Sequence, residues 1–331
     1  AASDFSSGIL SSTTLNAFAV FGSLATNTTY YARVRAVNRA LIATTFLSVG
    51  STSTLALPLT SLPLSNLTAQ GFTGHFGSGG NLGGTRYIAV ASTMATLSPA
   101  EASLITADTF AVFSGLSANT QYFFSAAALN NNGGATAFFA ALSTFTLPAA
   151  SAVAVPTGTN ETTSALRANW GANGNFSGTQ FAAQISPDPA FGSSVLSSTT
   201  ANAYADFTGL ATNTLYYMRV RTLSRSANPD SGLTTATAST LSNPPSAAAQ
   251  TYLYVGESSA TVQWTPLPAA PPTAAAEGYV AQASTDSLFN GTLFSATVSG
   301  GLSSRASVAG LAPSTLYYVR VGALNYDGNP N

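Results

Sequence analysis

The chain has 331 residues, of which 45% are hydrophobic and only 6% are charged, and it contains no cysteine. This length and apolar content predict several packed cores rather than a disordered chain. The lack of cysteine excludes a disulfide scaffold and a thiolate metal site. Ten basic residues, all arginine, are balanced by eleven acidic ones, so the net charge of -1 gives no drive toward nucleic acid or anionic membranes.

Lysine is absent, which excludes Schiff-base chemistry, a P-loop lysine and Lys-Asn isopeptide cross-links. No apolar run reaches the ~18 to 20 residues that a membrane-spanning helix needs, so we expect no membrane insertion. The first residues do not have the charged and then apolar pattern of a signal peptide. We therefore expect a mature piece or an excerpt of a longer chain.

One short pattern occurs four times, with a leucine six residues before a tyrosine, and the four tyrosines are 92, 94 and 101 residues apart. Such periods match whole domains rather than solenoid repeats. Three copies end in a Ser/Phe-Thr-Leu segment followed by proline, which is typical of a short stiff linker. The predicted boundaries are 1–55, holding only C-terminal strands, 56–148, 149–241, and 242–331, which lacks its last strand. The pattern residues are Leu24 and Tyr30, Leu116 and Tyr122, Leu210 and Tyr216, and Leu311 and Tyr317.

Strict alternation of apolar and polar residues predicts half-buried antiparallel strands. In the first copy Tyr30, Ala32 and Val34 are predicted to face a core, while Arg33 and Tyr31 face outward. An earlier strand in each full repeat ends on a large aromatic residue. These residues, predicted to fill the cores, are Phe76, Trp170 and Trp264.

The strand spacing, the strand-end tryptophan and the segment Leu311-Ala-Pro313-Ser-Thr315-Leu-Tyr317 resemble the fibronectin type III domain. The resemblance implies an all-β array of immunoglobulin-like antiparallel β-sandwiches arranged as beads on a string. It also implies a tyrosine corner, in which each tyrosine hydroxyl bonds to nearby backbone. Asparagine tolerates the left-handed conformation that such a turn needs, and the corner asparagines are Asn27, Asn119 and Asn213.

Both end repeats are predicted to be incomplete. One explanation is that the sequence is a window on a longer array. The other is that neighbouring subunits supply the missing strands by β-augmentation.

No catalytic constellation is apparent. His75 is the only histidine, and the carboxylates are scattered singly, so we predict no enzyme activity, no metal site and no cofactor. The loops 228–232 and 325–329 have oxygen-rich chemistry that would suit weak calcium binding, but ordinary turn formation explains them equally well. Glycosylation sequons occur at Asn27, Asn66, Asn160, Asn175 and Asn290.

Aromatic residues recur at the outward-facing positions of two strands, and these strands are predicted to lie in opposite sheets. With few charges nearby, they suggest faces that are covered in use. The alternative is ordinary cross-strand pairing, with Tyr31 and Tyr217 stacked on Arg33 and Arg219. The candidate contact residues are Phe18, Phe110 and Tyr204 on one strand and Tyr31, Phe123, Tyr217 and Tyr318 on the other.

Repeated domains without catalytic residues predict a secreted or cell-surface structural protein. We expect a segment of a microbial fibre, sheath or adhesive stalk that self-associates. An alternative is a spacer array in a secreted carbohydrate-active enzyme. A third hypothesis is an adhesin that binds a glycan or protein ligand through the loops after Trp170 and Trp264 or near residues 130–134.

Overall fold

The computed structural model of the chain describes residues 2–151, 153–154 and 160–331. These residues form strands joined by turns, with one short 3-10 turn at Pro272–Ala274. The predicted all-β fold of tandem antiparallel sandwiches is confirmed. No helix in the described part of the chain is long and apolar enough to cross a membrane.

Residues 2–55, here called repeat 1, form one antiparallel hairpin. Its strands are β1 (Thr29–Val34) and β2 (Leu47–Ser53), and their register shifts between Ala32 and Arg33. Ala32 and Val34 are exposed, so the prediction that they face a core is wrong. The reason is that no second sheet covers this hairpin within the described residues.

Residues 56–148, repeat 2, form a complete sandwich of two sheets. The central strand β5 of one sheet pairs with β3, β4 and β8, and the other sheet has the order β10-β9-β6-β7. The strands are β3 (Thr60–Ser61), β4 (Ser65–Thr68), β5 (Gly71–Gly77), β6 (Arg86–Ser92), β7 (Ala102–Thr106), β8 (Phe110–Phe113), β9 (Gln121–Leu129) and β10 (Leu142–Phe145).

Repeat 3, residues 149–241, has the same two-sheet arrangement. One sheet has the order β11-β12-β15 and the other has the order β14-β13-β16-β17. The strands are β11 (Val153–Ala154), β12 (Ala165–Trp170), β13 (Phe181–Ser186), β14 (Leu196–Thr200), β15 (Tyr204–Thr208), β16 (Leu215–Thr222) and β17 (Thr234–Ser239).

Repeat 4, residues 242–331, has one sheet of order β18-β19-β22 and another of order β21-β20-β23. Strand β23 pairs with β20 and makes a single further bridge, from Leu324 to Pro330. The strands are β18 (Ser246–Val255), β19 (Ser259–Thr265), β20 (Gly278–Ser284), β21 (Phe294–Ser299), β22 (Arg305–Ala309) and β23 (Tyr318–Leu324).

Each of repeats 2 to 4 has its own core, because the alternating strands turn one side-chain set toward the facing sheet. The aromatic residue at the end of β5, β12 and β19 stands at the centre of that core, where Phe76, Trp170 and Trp264 are each at least 96% buried. Each ring packs against the first aromatic residue of the next long strand, at centroid distances of 5.2 to 5.7 Å.

The chain divides into two compact units. The first contains Ala1–Pro148 with Arg225–Asn228, and the second contains Ala149–Ser224 with Pro229–Asn331. Repeats 1 and 2 therefore share a unit, and repeats 3 and 4 share the other, apart from Arg225–Asn228 of repeat 3.

Candidate functional site

A tyrosine hydroxyl accepts a backbone N–H five residues earlier in the chain at all four corners. The donors are Ala25, Ser117, Ala211 and Ala312, at 2.9 to 3.1 Å from the oxygens of Tyr30, Tyr122, Tyr216 and Tyr317. The preceding leucines are buried in repeats 2 and 3 and half-buried in repeats 1 and 4. A buried phenol needs a partner for its hydroxyl, and this bond supplies it while fixing the turn between the sheets.

The residue three positions after the corner leucine has a positive φ in every repeat. Its φ is 47° at Asn27, 53° at Asn119, 45° at Asn213 and 52° at Ser314. Asparagine adopts this left-handed conformation at lower cost than most residues, which accounts for its choice in three of the corners. Asn119 and Asn213 are buried and Asn27 is half-buried, so the amide needs hydrogen-bond partners within the protein.

The loop after the corner strand contains a second recurring feature, which we call the asparagine turn. An asparagine eight residues after the corner tyrosine accepts backbone N–H groups from the second and fourth residues that follow it. Asn38 accepts from Ala40 and Ile42 at 2.9 Å. The same pair of bonds is made by Asn130 with residues 132 and 134, and by Asn325 with residues 327 and 329.

In the first unit the asparagine turn of repeat 2 is seated on repeat 1. Asn131 donates its backbone N–H to Asn27 Oδ1 and its Nδ2 to the Asn27 carbonyl, both at 3.1 Å. Asn130 Nδ2 donates to the carbonyl of Ser53, the last residue of β2. Arg225, which belongs to the same unit, donates its N–H to Asn119 Oδ1 at 2.9 Å. The corner amide is thus an acceptor for the following loop.

In the second unit the asparagine turn of repeat 4 is seated on repeat 3. Asn325 Nδ2 donates to the carbonyls of Ser239 and Thr240, at the end of β17. Asp327 Oδ2 accepts both the N–H and the hydroxyl of Ser239, at 2.6 and 2.7 Å. Asn325 is 1% exposed, so these bonds are protected from competing water.

Two of the three loops that the sequence nominated for ligand binding, the loop after Trp264 and residues 130–134, also serve these junctions. The loop after Trp264 contains Pro272 and Glu277, and both accept from Asn213 Nδ2 at 3.2 Å. Asn27 Nδ2 donates to Thr85 at the end of the equivalent loop of repeat 2. Residues 130–132 contact repeat 1 as described above. These loops are therefore engaged within their own units.

Six of the seven candidate contact aromatics lie on strands. Phe110 and Tyr204 lie outward on β8 and β15, and Phe123, Tyr217 and Tyr318 lie on β9, β16 and β23 of the opposite sheets. Tyr31 lies on β1 of the repeat 1 hairpin, and Phe18 lies outside the strands. Tyr31, Phe110, Tyr204 and Tyr318 are 38% to 42% exposed, Phe18 is 68% exposed, and the other two are half-buried.

Arg33, Arg219 and Arg320 stack on phenylalanine rings that lie in loops, whereas Arg167 stacks on Tyr204 at 4.1 Å from the ring centre. Arg219 lies 4.0 Å from the centre of the Phe191 ring, and its Nε donates to Gln184. Repeat 4 repeats this arrangement with Phe289, Arg320 and Gln282. In repeat 1 Arg33 is held between Phe5 and Phe46. The phenylalanines Phe5, Phe191 and Phe289 share a φ of 55° to 58°, which places each ring over the sheet.

His75 and the polar residues of loop 325–329 make local structural contacts. No group of three or more potential metal ligands occurs among the residues that the structure describes. His75 Nε2 is 2.8 Å from the hydroxyl of Ser65, on the outer side of β5. Asn325 Oδ1 and Asp327 Oδ2, two of the loop oxygens that would suit calcium, already accept N–H and O–H groups.

Glu161 is the one carboxylate with a raised pKa in this part of the second unit. Burial is the main cause, the negative charge of Asp327 adds to it, and a hydrogen bond from Asn329 Nδ2 opposes both. Glu161 belongs to repeat 3 and its two neighbours belong to repeat 4, so its ionisation acts on the junction.

Three of the five sequons have asparagines whose side chains make structural contacts, and the third of them, Asn66, donates its Nδ2 to Thr73 at 3.2 Å. Asn175 is buried and bonds the backbone of Ala149 and Ala172, and Asn27 is used by the corner. Asn66, Asn160 and Asn290 are exposed.

The paired sheets, the strand order and the tyrosine corner decide the architecture. The chain is a tandem array of fibronectin type III-like sandwiches. It is similar to a crystal structure of the chicken CNTN1 FN1-FN3 domains, with 14% identity, a TM-score of 0.37, and coverage of 83% of this chain and 96% of that one. It is also similar to a two-domain fibronectin type III segment of chicken tenascin, with 18% identity, a TM-score of 0.28, and coverage of 55% and 95%. No family model and no curated protein matches the sequence.

The sequence analysis did not predict the asparagine turn. The signal was present in the sequence, because Asn38, Asn130 and Asn325 each stand eight residues after a corner tyrosine. It was hidden by the abundance of asparagine in loops, where turn formation alone accounts for it.

Proposed function

We propose that the chain is a segment of a non-enzymatic extracellular structural protein, a microbial surface fibre, sheath or stalk, and that it associates with its own kind through outer sheet faces. The observation that carries the proposal is the recurrence of an exposed aromatic residue at one position on each sheet. Phe110 and Tyr204 are equivalent on one sheet and Tyr31 and Tyr318 on the other, all 38% to 42% exposed.

The low charge of the chain supports association. Only 21 of 331 side chains are basic or acidic, so repulsion between copies is weak near the isoelectric point of about 5.7. Aromatic side chains contribute large contact areas at low conformational cost, which makes them suitable anchors for such faces.

Sedimentation velocity and light scattering of the full chain across pH and salt test this proposal. We expect concentration-dependent association that weakens when Phe110 and Tyr318 are changed to serine. Leu288→Ser is the matched control, because Leu288 is 75% exposed but stands in a loop. Dispersed monomers under all conditions would refute self-association.

A second candidate function is a stiff spacer that holds an enzyme or binding module away from a surface. The observation that favours it is the asparagine turn, which locks neighbouring repeats within each unit. The sequence of the complete gene separates the two functions. A flanking hydrolase module supports the spacer, whereas further repeats with a surface anchor support the fibre.

A further inference from the structure

The outer face of the four-stranded sheet of repeat 3 holds a shallow cavity of about 250 Å³. Outward residues of β13 and β16 line it, because the strand register sets Gln184 beside Arg219 and Ala182 beside Arg221. Leu233, the residue before β17, completes the lining. Repeat 3 is preceded and followed by other repeats and has both of its sheets, so this face belongs to a complete sandwich.

The guanidinium group of Arg219 is held in one orientation by its neighbours. Its Nε donates to Gln184 Oε1 at 2.7 Å, and Gln184 Nε2 in turn donates to Ser197 Oγ at 3.1 Å. One face of the guanidinium lies over Phe191, 4.0 Å from the ring centre. Its two terminal nitrogens have no acceptor among the residues that the structure describes. Donors that are fixed in advance bind a ligand with a smaller loss of conformational entropy.

Arg221 brings a second positive charge to the same face. Its side chain is 51% exposed, and its Nε lies 3.5 Å from Asp230 Oδ2, which is longer than an ordinary hydrogen bond. The other oxygen of Asp230 accepts the N–H of Ser224, so this carboxylate is held by its own loop. Two arginines against one acid leave the cavity positive, with guanidinium donors free for a ligand.

The chemistry of the lining indicates the class of ligand. The free polar groups are donors on two guanidinium groups, which pair best with a planar anion such as a carboxylate. Ala182 and Leu233 add apolar surface, and the volume is below that of a pocket for a drug-sized molecule, which suits a single sugar ring. Strands β13 and β16 are each paired on both sides, so no backbone edge is open here to an extended acidic peptide.

We propose that this face of repeat 3 binds a uronate unit of an acidic polysaccharide. The terminal nitrogens of Arg219 donate to the uronate carboxylate, Arg221 adds a second charge-assisted bond, and the sugar ring packs on Ala182 and Leu233. The site is separate from the loops at the repeat junctions and does not rest on self-association. It gives the array a means of attachment to a charged polysaccharide matrix.

Selective ¹⁵N labelling of arginine tests the site on the full chain, because the ten basic residues are all arginine. The Nε–H signals are assigned with Arg219→Lys and Arg221→Lys. We expect trigalacturonate to shift both signals saturably and the neutral galactotriose to shift neither. Arg320→Gln is the matched control, because Arg320 stacks on a phenylalanine and bonds a glutamine in the same way but has Gly322 where Arg221 stands in repeat 3.

Arg221→Gln should weaken the binding of trigalacturonate at least about threefold, whereas Arg320→Gln should not change it. Arg219→Lys keeps the charge but loses the parallel donors, so it should also weaken binding. Asp230→Asn should strengthen binding about twofold, because it removes the competing negative charge and still offers an oxygen to Ser224.

Three results would overturn the proposal. Shifts spread evenly over all the arginines would show non-specific ion binding. Equal affinity in the parent chain, Arg221→Gln and Arg219→Lys would place the ligand elsewhere. Tighter binding of a pentaglutamate peptide than of trigalacturonate would identify an acidic peptide as the ligand.

Discussion

Replacing Asn325 by alanine should uncouple repeats 3 and 4. The side chain makes two bonds within its turn and two to the carbonyls of Ser239 and Thr240, and it is buried. A net loss of about 0.5 to 1.5 kcal/mol for each of the four bonds gives about 2 to 6 kcal/mol. Roughly half of that loss belongs to the junction.

The assay uses the two tryptophans, since Trp170 lies in repeat 3 and Trp264 in repeat 4. Urea unfolding of the single-tryptophan variants reports each repeat separately by fluorescence. In the parent chain we expect the two transitions to lie close together. In Asn325→Ala the Trp264 transition should move to lower urea, and the Trp170 transition should also fall because repeat 3 loses its partner.

Asp286→Ala is the matched control. Asp286 accepts N–H groups from Leu288 and Asn290 in a similar turn of repeat 4, but that turn bonds only residues of its own repeat. It should lower the Trp264 midpoint and leave the Trp170 midpoint unchanged. An unchanged Trp170 midpoint in Asn325→Ala would refute the coupling.

Three further outcomes are expected. Trp264→Phe should change the free energy of unfolding of repeat 4, followed by circular dichroism, by less than about 1 kcal/mol. The buried indole N–H of Trp264 has no hydrogen-bond partner among the described residues, so removing this donor offsets the loss of packing. Glu161→Gln should raise Tm by about 1 to 3 °C at pH 7, and the difference should vanish in acid. The pKa of Glu161 is raised in the folded protein, so the neutral carboxyl group favours folding. This contribution to stability is fully present below the pKa of the unfolded state and is lost as the pH rises through the pKa of the folded state. Gly74→Ala should destabilise repeat 2 by about 1 to 3 kcal/mol in urea unfolding, because a Cβ there overlaps the Phe124 ring, and Phe124→Met should restore part of the loss.

Alternation along the chain was sufficient to predict the sheets, because side-chain parity depends only on local sequence. Met218 and Val220 of repeat 3 are buried as their parity requires. In repeat 1 the same parity placed Val34 in a core that the described residues do not form. Local pattern identifies the inward side of a strand but not what covers it.

Partners distant in sequence were beyond prediction. Asn130 bonds Ser53, 77 residues earlier, and the position of Asn130 after its corner tyrosine does not indicate which residue it contacts. The core sizes are also matched across sheets, since repeat 2 has Gly74 with Phe124 where repeat 3 has Ala168 with Met218. The size of each of these residues is explained only by the residue that packs against it in the other sheet. The sequence of one strand alone therefore does not predict it.

The position at which the asparagine turn is received has a mechanical consequence. Ser53 and Ser239 are the last residues of β2 and β17, where the chain leaves each repeat. Tension applied along the array enters a repeat at these residues, and the following repeat already holds them through its turn. Stretching should therefore first release the turn and lengthen the linker by a small step, and only then pull the last strand from its sheet.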